Sequence, residues 1–278
     1  MVRRTDRDRS ELTGRAMTTV APRAAEPGGN GVGRPARAAE IPDDFRTLDF
    51  GRLWLGRDRT TEVEAALVRA ALARFPVRRV VELGTGEGRL TATVREIAAE
   101  YVGVDQNFEF LRRLRRGADR GATTLLVEAN LYHLPFVEGA VTASLLARVY
   151  NFLTEPAAAL AEIRRTLAPG GGLVLSCHAR PSVMTFADDV RAALDPPRGV
   201  HRPSLTFSRA DVVPAIPSPF PAFSPTRKFL RRTIREAGFR IDGTLGSGFE
   251  DYRWSRRLPA RLFLAAGERL GRAPWFPL

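Results

Sequence analysis

At 278 residues the chain can bury one sizeable core with a cap or tail beside it, so a single catalytic domain is the default. Its net charge of +12 is almost wholly arginine, lysine occurring only at Lys228, and it is spread among Asp and Glu in the manner of a composition bias rather than a dedicated polyanion site. Cys177 is the single cysteine, which excludes an internal disulfide and any multi-cysteine zinc site and suggests a cytoplasmic protein. No stretch approaches the roughly 18 apolar residues that span a bilayer, and the charged segment from Met1 to Arg9 leads into no signal-like apolar run.

Taken in chain order, residues 1–40 are rich in Arg, Ala, Gly, Pro and Thr and poor in large apolar side chains, which predicts a disordered tail, with residues 41–278 forming the folded domain. From Thr60 the periodicity turns helical through Val63, Leu67, Val68 and Leu72, and Pro76 closes the segment. A short apolar strand follows at 80–83. Leu90, Val94, Ile97 and Ala98 then share one helical face, Tyr101 to Asp105 reads as a second buried strand, and Phe108, Leu111 and Leu114 mark the next helix. Runs at 123–127, 141–146 and 172–177 supply three more strands, with a helix from Pro156 to Leu167 between the last two and Thr154 as its expected cap. Residues 179–222 are too long for an ordinary connection, and the proline-dense stretch with His201, Phe207, Phe220 and Phe223 reads either as a substrate lid or as a passive insertion. Ser224 and Pro225 then open a helix through Phe229, Leu230 and Ile234, stopped by Gly238. Strand and helix alternate throughout, which predicts an α/β domain with a mostly parallel sheet covered on both faces.

The chemistry concentrates between residues 80 and 105. Glu82 ends the first strand, and Gly84, Gly86 and Gly88 follow at alternate positions, where residues without a Cβ let a ligand approach bare backbone. Asp105 ends the second strand about twenty residues on, the spacing at which a carboxylate meets ribose hydroxyls. A nicotinamide-binding Rossmann fold would need its third glycine at position 89, which is Arg89.

Together with Asn130 to Phe136 and the Leu167 to Gly171 turn, these segments make the chain similar to the class I S-adenosylmethionine-dependent methyltransferases, in particular the type 11 group. The resemblance implies their Rossmann-like doubly wound fold. It also implies S-adenosylmethionine as cofactor, with Glu82, Gly84, Thr85, Gly86, Gly88, Asp105, Gln106, Asn130 and Leu131 lining its site. Two positions depart from the family pattern: Asn130 replaces an Asp beside adenine, and Thr142 replaces the Asp of a Phe-Asp pair. The family's seventh, antiparallel strand is not evident after Trp254, which implies either a truncated sequence or a sheet that has lost an edge strand. On the acceptor side, Arg148, Tyr150, Asn151, Cys177 and His178 fall at the ends of strands four and five, with His178 and Tyr150 as candidate catalytic groups and Arg148 and Asn151 as substrate contacts. Trp54, Arg57 and Arg59 could reach the cofactor carboxylate, although a solvated surface role is the plainer reading. The expected reaction is methyl transfer to an O, N or C nucleophile of a small molecule. The alternatives are an RNA methyltransferase tethered by the basic tail, and a non-catalytic cofactor-binding protein; the base-amino and cytosine-C5 signatures are missing from the sequence.

Overall fold

The computed structural model describes residues 17–22, 58–117, 124–179, 212–214 and 223–244. Trp54, Arg57, His201, Phe207, Phe220, most of the 179–222 segment and the rest of the N-terminal tail lie outside them.

Nine strands and five α-helices are described. The strands are β1 (Met17–Pro22), β2 (Arg79–Leu83), β3 (Glu100–Asp105), β4 (Thr124–Glu128), β5 (Val141–Ala147), β6 (Leu167–Ser176), β7 (Val212–Pro214), β8 (Phe223–Pro225) and β9 (Phe239–Thr244). The helices are α1 (Asp58–Leu72), α2 (Thr91–Arg95), α3 (Phe108–Gly117), α4 (Pro156–Thr166) and α5 (Arg227–Glu236). Seven strands form one sheet in the order β4-β3-β2-β5-β6-β1-β9, while β7 and β8 make a separate antiparallel pair. Pairings β2 with β3, β2 with β5, β3 with β4 and β5 with β6 are all parallel. The order reverses beside β2, and the crevice at such a switch point, outside the carboxyl ends of the strands, is where open α/β sheets bind ligands.

Residue alternation decides which face each side chain serves. On one face Val80, Tyr101, Ala143, Leu145 and Val174 pack with Val63, Leu67, Val68 and Leu72 of α1 and with Leu90 and Val94. On the other, Val81, Leu83, Val102, Val104, Leu146, Leu173 and Leu175 meet Leu160 and Ile163 of α4 and Phe229, Leu230 and Ile234 of α5. Both faces of the sheet are therefore buried, as the near-continuous apolar runs required. Glu82, between Val81 and Leu83, must project with Val80 toward the α1 and α2 side.

Several expectations are corrected. The tail is not wholly without structure, because Met17–Pro22 forms β1, antiparallel to both β6 and β9. Met17–Pro22 thus supplies an antiparallel strand between β6 and β9, and the sheet has seven strands among the described residues. Thr154 does not cap α4; Glu155 holds the cap position without a side-chain bond, and Thr154 instead shares a 3.0 Å hydrogen bond with Tyr132. Helix α5 is capped by Thr226, whose hydroxyl accepts from the Phe229 N–H, rather than by Ser224. In α3 the buried face is Phe110, Leu111 and Leu114, and Phe108 is 57% exposed. Thr142 lies near the start of β5, where its hydroxyl accepts from Arg79 N–H and donates to Arg79 C=O. It fastens β5 to β2 at the edge opposite the strand tips. No helix among the described residues is long and apolar enough to cross a membrane.

Candidate functional site

The glycine loop leaves β2 with Gly84, Gly86 and Gly88 all at positive φ, 70°, 55° and 88°. Backbone bonds from Gly84 and Thr85 to the Val104 carbonyl pin its start to β3. A Cβ at Gly84 would sit 2.4 Å from Val149 Cγ2 and one at Gly88 2.3 Å from Leu114 Cδ1, whereas one at Gly86 would meet nothing within 4 Å. Gly84 and Gly88 are therefore required by packing, and Gly86 faces open space. Gly84→Ala should destabilise the fold by about 2 to 4 kcal/mol, from left-handed backbone plus overpacking, and Gly86→Ala by only about 1 to 2 kcal/mol. Urea denaturation of the two variants checks the difference.

Asp105 ends β3 beside this loop and is 9% exposed. Gly86 N–H donates to Oδ2 at 2.8 Å and Asn107 N–H to Oδ1 at 2.9 Å. Burial pushes its carboxyl upward, and the N–H bonds from Asn107, Gly86 and Gln106 oppose that shift. Each carboxylate oxygen carries two acceptor sites, so this pair of bonds orients the group and leaves capacity for hydroxyl donors. Gln106, next along, is exposed.

Glu82 lies buried beneath the glycine loop. It is 3% exposed, and its Oε2 accepts from Tyr101 (2.7 Å), Thr91 (2.8 Å) and Thr85 (3.1 Å). Thr85 therefore acts through its hydroxyl on Glu82.

Across the cleft, Asn130 turns its Oδ1 to the Tyr132 N–H at 3.0 Å and forms a bridge with His133. Leu131 beside it is 9% exposed. Glu162 of α4 accepts from Leu134 N–H, holding this loop against the helix.

At the tips of β5 and β6 the structure brings Arg148 and His178 together. Arg148, at φ 62°, is the one non-glycine residue of positive φ among the described residues. Strained backbone of this kind persists only where its surroundings fix it, and it clusters at functional sites. The surroundings here are the Ser176 carbonyl, which accepts from Arg148 N–H, and Glu64 of α1, whose Oε1 accepts from Arg148 Nε at 3.0 Å and from the Ser176 hydroxyl at 2.9 Å. Glu64 Oε2 lies 2.8 Å from Arg89 Nη2. Arg148 Nη1 lies 2.8 Å from His178 Nε2 and 3.4 Å from Nδ1, so the guanidinium sits against the imidazole ring.

Tyr150 is fully buried in the core, where burial raises its phenol. The Asn151 side-chain amide donates to the His178 carbonyl and accepts from the His178 N–H, which sets the position of His178. Cys177 is buried and its thiol is pushed up to about 12, so it is no nucleophile. His133 is exposed and joins the site only through its backbone bridge.

The sequence reading missed Glu64, Tyr101 and Thr91 as site residues. Glu64 did leave a signal: it is a carboxylate inside the apolar stripe Val63, Leu67, Val68, and such a group is seldom buried without a partner.

Comparison with known proteins adds the following. Residues 81–175 match the family described as "Methyltransferase domain". The chain is 36% identical over 133 residues to a demethylmenaquinone methyltransferase of Thermus thermophilus, covering 47% of this chain and 57% of that protein. It is 34% identical over 103 residues to an uncharacterised methyltransferase of Mycobacterium tuberculosis, covering 37% and 41%. The chain thus spans about half the length of the curated relatives it matches. Among solved structures it resembles an S-adenosylmethionine-dependent methyltransferase of Thermotoga maritima, with TM-score 0.54, 20% identity and coverage of 72% and 82%. A second resemblance is to such an enzyme of Leishmania major, with TM-score 0.53, 14% identity and coverage of 72% of each chain. At these identities the likeness to the two structures is one of fold.

Proposed function

We propose that residues 81–175, which match a methyltransferase domain, form an S-adenosylmethionine-dependent domain of class I, and that this chain moves a methyl group from S-adenosylmethionine to an O, N or C nucleophile of a small molecule. The observation that carries the reading is the pairing of an oriented Asp105 carboxylate with a Gly86 whose face is open, at the carboxyl edge of the sheet. These residues suit a nucleoside: a carboxylate for ribose hydroxyls beside backbone that a side chain would obstruct. The bound cofactor would supply an electrophilic methyl on a sulfonium, so the protein needs neither triad nor metal.

In this reading Asp105 and Gln106 hold the ribose, and Asn130 and Leu131 face adenine. Because Asn130 Oδ1 is turned inward to Tyr132, its amide NH2 is left to donate toward a ring nitrogen, which accommodates the exchange of Asp for Asn. Arg148 and His178 lie on the acceptor side. Imidazole is the side chain best suited to take a proton from a phenol or enol near neutral pH, and an aromatic acceptor of that kind suits the relative named for demethylmenaquinone. The main service of the protein is to hold the nucleophile in line, which is worth roughly 7 to 11 kcal/mol of barrier. The readings as an RNA methyltransferase and as a non-catalytic binder draw no observation from the described residues.

Calorimetric titration with S-adenosylhomocysteine, followed by transfer of a labelled methyl group to a panel of phenols, enols and amines, tests the proposal. No binding, or binding with no turnover on any acceptor, would count against it. His178→Gln should leave S-adenosylhomocysteine affinity within about twofold and lower transfer about 100-fold, the lower range for a general base.

A further inference from the structure

Four oxygens meet beneath the glycine loop, and none of the partnerships among them was foreseen. Glu82 Oε2 receives the hydroxyls of Tyr101, Thr91 and Thr85, and those hydroxyls lie within 2.9 to 3.2 Å of one another. The elements that supply them differ: Glu82 ends β2, Tyr101 sits in β3, Thr85 is in the loop and Thr91 opens α2. Gly103 makes the arrangement sterically feasible. It pairs with Glu82 across the parallel ladder, and a Cβ there would fall 2.8 Å from the Tyr101 hydroxyl and 3.4 Å from Thr85 Cγ2.

Hydroxyls that donate to a carboxylate oxygen favour its charged form, and three of them stand within reach of Glu82 Oε2. Burial pushes the Glu82 carboxyl up, and the bonds from Tyr101, Thr91 and Thr85 and the charge of Arg89 pull against it. The charged groups that face it are few. Arg89 is paired with Glu64 of α1, and Tyr101, its phenol raised by burial and by Glu82 itself, stays protonated.

We propose that Tyr101, with Thr85 and Thr91, is a positioning residue that keeps the buried Glu82 ionised, so that the glycine loop presents a fixed negative charge to the cationic amino-acid arm of the cofactor. This rests on the methyltransferase reading above. The hydroxyl cage makes the charge affordable inside the protein, and Glu82 acts on the arm through the loop rather than by touching it.

The test compares two ligands: S-adenosylhomocysteine, which carries the ammonium-bearing arm, and 5′-methylthioadenosine, which lacks it. In Tyr101→Phe, affinity for S-adenosylhomocysteine should fall about tenfold at pH 6, the scale of one hydrogen bond to a charged group, and recover as the pH is raised and Glu82 ionises again. Affinity for 5′-methylthioadenosine should change less than about twofold at either pH, because that ligand has no cation for Glu82 to meet. Thr91→Val, which removes a donor at constant shape, should reproduce the pattern, and Thr91→Ser, which keeps the hydroxyl, should restore ordinary affinity. Equal losses for both ligands would mean that the cluster merely holds the loop, and no loss in either variant would mean that Glu82 needs no cage; each result overturns the proposal. Failure of the unaltered chain to bind S-adenosylhomocysteine would instead remove the reading underneath it.

Discussion

Asp105→Ala should lower affinity for S-adenosylhomocysteine at least about 100-fold, since hydrogen bonds to a charged acceptor contribute roughly 1.5 to 3 kcal/mol each and a ribose offers two hydroxyls. The loss exceeds what the ligand contacts alone imply, because Gly86 and Asn107 would be left with N–H groups turned toward an empty position. Asp105→Asn should fare little better: whichever way its amide turns, the NH2 confronts one of those two N–H donors. Loss of the charge is the common element, so wild-type affinity should also decline as pH falls through the raised value of this carboxyl. Protonation removes an acceptor that the hydroxyls require. Calorimetry on folded variants, verified by circular dichroism, decides the matter; affinity within threefold of wild type in Asp105→Ala would place the nucleoside elsewhere.

Much of this site could be read from the chain because its signals are local. Gly84, Gly86 and Gly88 are required by backbone conformation within a five-residue loop, and Asp105 follows at the spacing set by one strand, one turn and one short helix. The parallel strands were legible for a similar reason, since burial on both faces leaves apolar runs such as Val80–Val81 and Leu173–Val174–Leu175. What escaped depends on contacts far apart in sequence. Strand β1 pairs with residues more than 150 positions away, and six residues set in an Arg-, Gly- and Pro-rich context carry no pattern that announces such a partner. The depth of Tyr150 could not be read from its position after β5, since it depends on the core that α4 and α5 build there. The bonds of Asn151 to the backbone of His178 likewise join residues 27 positions apart.

Glu64 is the clearest product of long-range contacts, and its removal should have the largest effect on stability. It is 3% exposed and binds one residue after the glycine loop, one at the tip of β5 and one at the tip of β6. Replacing it by Gln leaves Arg89 and Arg148 facing a neutral partner inside the protein, and breaking a buried pair in this way costs about 3 to 5 kcal/mol. For a chain of this size that corresponds to a fall in Tm of roughly 10 °C. The pH dependence carries the same information with a definite sign. Burial raises the Glu64 carboxyl, but Arg148, Arg89 and the bonds from Ser176 and Arg148 outweigh it and hold the group at about 2, against an ordinary value of 4.5. A carboxylate depressed on folding contributes stability above its unfolded pKa and loses it as pH falls through the folded one. The Glu64 contribution, on the order of 3 kcal/mol, should therefore be complete at pH 7 and fade between about pH 4.5 and pH 2. Urea denaturation of wild type and Glu64→Gln should show a gap that narrows over that window. The double variant with Arg148→Gln should lose less than the sum of the two single changes, because the second removes the charge that the first leaves exposed to the interior. A gap under 0.5 kcal/mol at pH 7, or one unchanged by acid, would show that α1 does not anchor the strand tips through this carboxylate, and the strained geometry of Arg148 would then need another cause.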